Sequence, residues 1–280
     1  ARLRHPARQV SLRGGGAPAV RLVEEATGRL VGTMDEPSAH RFAHDGAVYL
    51  HQGETYVVGR LDLDNRVALL ECRDPGYITQ CSDITEIDMI NDLCRISWGD
   101  ADVVLGDVRV TRRVTGYRMI RSGVKTGEAG LDLPPRVLDS RAIWWTIPNG
   151  SSRLPINMDI AGSVHAAEHA STGILPLFVP CDRRDVGGLS TVCHPATGRL
   201  GVFVYDEHEG GAGFAEGAFA VAPEWLRATR NAIMSCPCET GCPACVQSPS
   251  CGSGNSPLSK AGAVDLLGTL LADAPASSNS

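Results

Sequence analysis

Short runs of apolar and polar residues, cut by turn signals, dominate the first 125 positions. Ala47–His51, Thr55–Val58, Val67–Glu71 and Val103–Thr111 are rich in Val, Leu, Tyr and Thr. Gly53, Asp64-Asn65, Asp74-Pro75-Gly76 and Gly106-Asp107 separate them. Strands of this length and spacing predict a small barrel or sandwich. At 126–136 the stretch TGEAGLDLPPR supplies Gly, Pro and few core residues, so a domain boundary is expected near 126–140. Beyond it the period changes. Ile143–Ile147 and Leu200–Tyr205 are expected strands, and Ile156–Ile174 an expected helix. The turn EGGAGF precedes a helical stretch from about Ala215. Pro223 suits the first turn of a helix running to about Ser235, and Ser259–Leu271 is amphipathic. The small polar tail at 273–280 predicts disorder. The expected fold class is therefore α+β: a β-rich, barrel-like domain over 1–125, then a mixed α/β domain over 126–280.

Composition narrows the function classes. An apolar fraction of 43% and a charged fraction of 21% are ordinary for a globular chain. No apolar stretch reaches the ~20 residues that span a bilayer. The opening ARLRHPARQV has no apolar core of a signal peptide, and its lack of Met fits a piece of a longer polypeptide. Five of the ten cysteines (Cys72, Cys81, Cys94, Cys181, Cys193) are scattered, and the other five crowd into residues 236–251. Scattered thiols plus one cluster suit a reducing, cytoplasmic setting with a metal site, not a disulfide scaffold.

The cluster reads C-P-C-E-T-G-C-P-A-C, then VQSPS, then Cys251. Cys242 and Cys245 form a C-x-x-C knuckle that lets two thiolates converge on one ion, and Cys236 and Cys238 can complete a tetrahedron. Such a closed four-thiolate site is structural. Zinc is the expected ion, and an iron–sulfur cluster is its rival because thiolates serve either. Cys251 can replace Cys236 or Cys238, since C-x-C closes on one ion less comfortably than C-x-x-C.

Three other motifs weigh less. His165, Glu168 and His169 spell H-x-x-E-H, the inverzincin metalloprotease pattern, and on a helix both imidazoles share a face. Asp206-Glu207-His208-Glu209 looks like a Walker-B string, but no G-x-x-x-x-G-K-[ST] loop precedes it, and SGVKTG (122–127) has the wrong glycine spacing. The chain thus carries no ATPase motor of its own. Gly210-Gly211-Ala212-Gly213 reads as a tight strand-to-helix turn, with phosphate binding at the helix start as the alternative.

A formal net charge of −6 excludes a chain that is basic throughout, but not a local basic track. Between Asp107 and Glu128 lie Arg109, Arg112, Arg113, Arg118, Arg121 and Lys125, with no acid among them. Tyr117, Trp144 and Trp145 are candidate stacking platforms for unpaired bases, which makes single-stranded DNA the expected partner. A solvated edge strand whose arginines block aggregation gives the same pattern.

Several blocks together resemble the C-terminal region of MrfA/SftH-like superfamily 2 DNA helicases. They are GAVYLHQGETYVV (46–58), VHAAEHA (164–170), CDRRDVGG (181–188), VYDEHEGGAGFAE (204–216) and CPCETGCPACVQSPSCGSGN (236–255). The resemblance implies a β-rich domain followed by a cysteine-bearing zinc domain, and motor domains upstream in the same polypeptide. It also implies a parent that uses ATP to move 3′ to 5′ on DNA during repair, located at the nucleoid. It favours Cys236, Cys238, Cys242 and Cys245 as the ligands, with Cys251 in reserve. It assigns H-x-x-E-H to the zinc domain's scaffold. Glu209 departs from the Pro expected before the glycines. The expected function is an accessory helicase module that binds or guides single-stranded DNA. The rival readings are a zinc protease using His165, Glu168 and His169, and a zinc-stabilised protein-interaction platform.

Overall fold

A computed structural model describes residues 19–249 and 251–276. The opening residues read above for a signal peptide, and 277–280 of the predicted disordered tail, lie outside them. The chain divides into two compact units, and the division is not one cut in the sequence. The first holds the residues up to Ile84 together with Arg112–Arg136; the second holds Thr85–Thr111 and everything from Val137 onward.

In the first unit, strands β1 (Val20–Glu24), β2 (Leu30–Met34), β3 (Val48–His51), β4 (Glu54–Asp62) and β5 (Val67–Cys72) form a curled half-barrel sheet. Their order is β2-β1-β5-β4-β3; β1 and β5 pair in parallel and the other neighbours antiparallel. Val20, Leu22, Tyr56, Val58, Ala68 and Leu70 fill its concave side. Helix α1 (Glu36–Phe42) closes that core with Ala39. Asp35 starts the helix by accepting the Ser38 amide at 2.7 Å.

Two 21-residue strands, β6 (Ile78–Trp98) and β7 (Ala101–Arg121), carry the chain from one unit to the other and back. The stretch 126–140, where a domain boundary is expected, holds β8 (Val124–Gly130), paired to β7, and the start of β9 (Arg136–Ile147); the chain passes into the second unit after Arg136. Gly116 of β7 marks its close approach to β8: a Cβ there would meet Ala129 O at 2.5 Å.

The second unit is built on strands in the order β10-β11-β9-β7-β6, where β10 is Val186–Thr191 and β11 is Leu200–Asp206. All seven residues of β11 are buried, as a strand covered on both faces requires. Alternation splits the sheet's side chains. Val103, Ile143, Trp145, Ile147, Val202 and Val204 face a core shared with the helices. Val104, Val108, Ala142, Trp144, Phe203 and Tyr205 face the opposite way and pack with Ile87.

The helices are α2 (Ile160–Ile174), α3 (Phe214–Ala220), α4 (Ala222–Ser235) and α5 (Lys260–Leu271). Helix α2 begins at 160 and not at 156, because Asp159 caps it by accepting the Gly162 amide at 3.0 Å. Trp225 of α4 donates its indole N–H to Ser171 O of α2 at 3.0 Å. Helices α2 and α5 meet at small residues: a Cβ on Gly262 would meet Ser163 Oγ at 1.9 Å. The predicted tail is ordered as far as it is described, since Arg153 pairs with Asp273 and Arg227 donates to the carbonyls of Ala274 and Pro275.

Candidate metal centre

Helix α4 ends at Ser235, and the chain leaves it extended at Cys236, with φ −70° and ψ 127°. From there to Lys260 the described residues form turns without strand or helix, so something besides a ladder must hold them. Four sulfurs converge in this loop. The Sγ separations are 3.6 Å for Cys236–Cys238, 3.6 Å for Cys236–Cys242, 3.5 Å for Cys238–Cys245 and 3.8 Å for Cys242–Cys245. All four lie within 4.8 Å of one another. A tetrahedral ion with Zn–S bonds of about 2.3 Å needs S···S edges of about 3.8 Å, which these separations match. Disulfides are excluded by the same distances.

The surroundings suit thiolates. The Cys242 amide donates to Cys245 Sγ at 3.3 Å. Lys260, at the start of α5, donates to the carbonyls of Cys236 (2.7 Å) and Cys238, bringing a positive charge beside the cluster. Gly241 turns the chain at φ +117°, where a Cβ would strike Val246 Cγ2 at 2.4 Å. Val246 itself is wholly buried in the helix core and anchors the knuckle. Without a cation the sulfurs cannot ionise together. Burial raises the Cys238 thiol, yet hydrogen bonds from Cys245, Cys236 and Cys242 outweigh it and bring Cys238 down to about 7. Burial pushes Cys245 up to about 12, with the Cys242 backbone opposing and the Cys238, Cys242 and Cys236 thiols adding to the rise.

Cys251 stands apart from this group. It lies against α2, with Sγ 3.4 Å from His165 Nε2, and the ligand atoms of His165, His169 and Cys251 converge within 4.8 Å. Glu168, the third member of H-x-x-E-H, is not in that set. Its carboxylate lies against β10, where it would collide with a Cβ on Gly188 and where Ser190 Oγ reaches it at 3.5 Å. Burial holds its carboxyl above the usual range. A protease of this pattern needs a metal-bound water beside its glutamate; here the Glu168 carboxylate is turned to β10, and the third donor beside the imidazoles is the Cys251 sulfur.

The glycine turn is filled from within. Asp206, at the end of β11, is 1% exposed and accepts the backbone amides of Ala212 (2.6 Å), Phe214 (3.2 Å) and Ala215 (2.9 Å). The start of α3 therefore already holds a carboxylate where a phosphate would sit.

Half of the basic track pairs with acids, two of them distant in sequence. In the second unit Arg109 grips Asp139 with two bonds, 2.6 and 2.8 Å. Exposed pairs contribute at most about 1 kcal/mol, so Arg109→Gln is expected to shift thermal unfolding by no more than a few degrees. In the first unit Arg112 faces Asp83 at 3.5 Å, Lys125 pairs with Glu128, and Arg121 donates to Gly76 O at 3.1 Å. Arg118 is half-buried. Arg113 is exposed and has no partner among the described residues. Tyr117 stacks on His44 with ring centroids 4.8 Å apart. Trp144 and Trp145 are each 1% exposed, on opposite faces of β9. The expectation that they stack on bases is overturned: both are core residues, and their adjacency reflects a strand buried on two faces.

Among known proteins, the family model described as the MrfA Zn-binding domain matches residues 167–246, a span that takes in the four converging cysteines and stops short of Cys251. The crystal structure of the helicase MrfA bound to DNA superposes with a TM-score of 0.66 at 28% identity, covering 95% of this chain and 36% of that one. The chain is similar to MrfA-like helicases over nearly its whole length. It corresponds to the C-terminal region of such helicases. The ATP-dependent helicase YprA of Bacillus subtilis is 31% identical over 254 residues, covering 86% of this chain and 33% of YprA. HRQ1 of Saccharomyces cerevisiae, also an ATP-dependent helicase, is 27% identical over 292 residues, covering 95% of this chain and 26% of HRQ1. The MrfA-like chain thus spans about a third or less of the length of these relatives. No helix among the described residues is long and apolar enough to cross a membrane.

Lys260 escaped sequence reading. It is one of two lysines in the chain, at 125 and 260, but nothing in its local pattern distinguishes a helix-start lysine on a metal loop from a solvated one.

Proposed function

We propose that this chain is the accessory C-terminal module of an ATP-dependent 3′–5′ DNA helicase of repair, without a motor of its own. It binds or guides single-stranded DNA, while upstream motor domains of the same polypeptide supply ATP hydrolysis. The observation that carries this reading is the likeness, over 95% of the chain, to a helicase crystallised with DNA. The setting is the reducing cytoplasm, at the nucleoid, which suits a chain whose clustered cysteines serve as metal ligands.

Within the module, Cys236, Cys238, Cys242 and Cys245 bind one structural zinc. Four sulfur–sulfur edges of 3.5–3.8 Å suit a single central ion, whereas an iron–sulfur cluster divides its thiolates among several irons. Four protein ligands leave no position for substrate, so the ion organises the loop between α4 and α5.

On the DNA side, Arg113 and Arg121 are the exposed members of the basic track whose charge is not spent on a carboxylate. Each phosphate contact on a single strand adds about 0.7 to the slope of log K against log salt. Arg113→Gln/Arg121→Gln is therefore expected to weaken oligonucleotide binding and flatten that slope by roughly 1.4. A fluorescence-anisotropy titration from low to moderate salt measures both. Wild-type binding to single strands that ignores salt, or none at all, would remove the DNA-guiding role and leave a protein-interaction platform.

A further inference from the structure

Opposite the four-cysteine loop, helix α2 presents a second convergent set of donors. His165 and His169 are one turn apart, with ring centroids 4.3 Å from each other. His165 Nδ1 lies 2.7 Å from Pro257 O, and His169 Nδ1 lies 2.8 Å from Val246 O. A carbonyl oxygen only accepts, so each ring carries a proton on Nδ1 and is left with Nε2 as its available ligand atom. Carbonyl bonds of this kind are how proteins fix a ligating imidazole's tautomer and orientation.

Cys251 meets these rings from the loop that follows the knuckle. It is 8% exposed. Its sulfur accepts the Asn255 amide at 3.2 Å and lies 3.2 Å from Ser253 Oγ, so the groups around it serve a sulfur that accepts. The loop is built to hold that pose. Asn255 sits at φ +63°, and its side chain accepts from the Ser248 amide at 2.7 Å and donates to Ser248 O at 2.9 Å.

We infer that His165, His169 and Cys251 bind a second metal ion of the zinc class, separate from the four-cysteine site, with water in the fourth position. The donor set selects the metal: imidazole and thiolate suit zinc-like ions, while magnesium and calcium require oxygen. Zn–N bonds of about 2.0–2.1 Å and a Zn–S bond of about 2.3 Å in a tetrahedron place sulfur and nitrogen about 3.6 Å apart. The 3.4 Å between Cys251 Sγ and His165 Nε2 fits that frame. Cys251 binds as thiolate and releases its proton to solvent. The Asn255 amide, which donates to the sulfur at 3.2 Å, supports the thiolate that binds. The ion would staple α2 to the loop that begins just after the zinc knuckle. Glu168 keeps its place against β10 and is not a ligand.

The test is metal stoichiometry on the full chain, purified without a histidine tag, loaded with zinc and dialysed. Two equivalents per chain are expected by mass spectrometry. Cys251→Ser and His165→Gln are each expected to lower the count to one, while Cys242→Ser removes the other equivalent. Cobalt(II) loading gives a second readout that does not depend on any variant folding. The wild type should show a four-thiolate spectrum plus a weaker single-thiolate component, and Cys251→Ser should lose only the latter. One equivalent per chain at saturating zinc, with a purely four-thiolate cobalt spectrum, overturns the proposal. So do two equivalents that both survive in Cys251→Ser and His165→Gln. Failure of the four-cysteine site would instead appear as a wild-type count that Cys242→Ser leaves unchanged.

Discussion

Cys242→Ser is expected to lose the four-cysteine zinc and to unfold the loop from 236 to 259 while the sheet stays intact. The size of the effect follows from what else holds that loop. It has no ladder or helix of its own, and its apolar anchors are few, chiefly Val246 and the partly buried Cys245. Structural zinc contributes about 10–16 kcal/mol where binding and folding are one event. Here the helix core of α2, α4 and α5 exists independently, so the larger share appears as local opening, and a few kcal/mol reach the whole unit. Hydrogen exchange should show protection vanishing across 236–249 and thinning at the start of α5, where Lys260 no longer finds the Cys236 and Cys238 carbonyls. Treating the wild type with a chelator should reproduce the pattern, and the zinc-loaded protein should be colourless. A serine variant that keeps its full zinc count and its protection would show that Cys242 is not a ligand. A brown wild type would replace zinc by an iron–sulfur cluster.

The same loop shows where sequence is informative and where it is not. Ligand spacing is a local property, so C-x-C and C-x-x-C six residues apart announced a metal site before any fold was known. The company of Cys251 was invisible, because its partners sit 86 and 82 positions earlier on α2 and only folding brings them together. The H-x-x-E-H pattern was visible, but its three side chains do not act together. His165 and His169 turn to Cys251, and Glu168 turns to β10.

Strand β6 illustrates a different limit. Its apolar residues recur every third position, at Ile84, Ile87, Ile90, Leu93 and Ile96, a period that belongs to neither a half-buried strand nor a regular helix. Most of the strand is exposed at the sheet's edge, so hydrogen bonds to β7 organise it and its own side-chain pattern does not. By contrast, β11 and α4 were legible because burial on two faces and on one face write distinct patterns. The pairing within the basic track was hidden for the same reason as β6. Its counter-charges, Asp83 and Asp139, arrive from other strands.

The second large effect is expected at Asp206. This carboxylate ends a fully buried strand and fills the turn that starts α3, taking three backbone amides at once. Each buried donor left without a partner costs about 1–3 kcal/mol. Asp206→Ala is therefore expected to lower stability by about 3–5 kcal/mol, even if water reaches the outermost amide. Asp206→Asn separates shape from charge. Asparagine keeps one acceptor oxygen but turns an NH2 group toward amides that also donate, so it should still cost about 1–3 kcal/mol. The pH dependence carries its own sign. Burial holds the Asp206 carboxyl above its ordinary value, with the three amides opposing. Ionisation thus favours the unfolded chain, and stability falls as pH rises from the ordinary value through the raised one. That decline should be present in the wild type and absent in Asp206→Asn. Denaturant unfolding of both proteins across the acidic range measures the cost and the slope together. An Ala variant as stable as the wild type would mean that the turn is held by something other than this carboxylate, and would reopen the amides at the start of α3 to an outside anion.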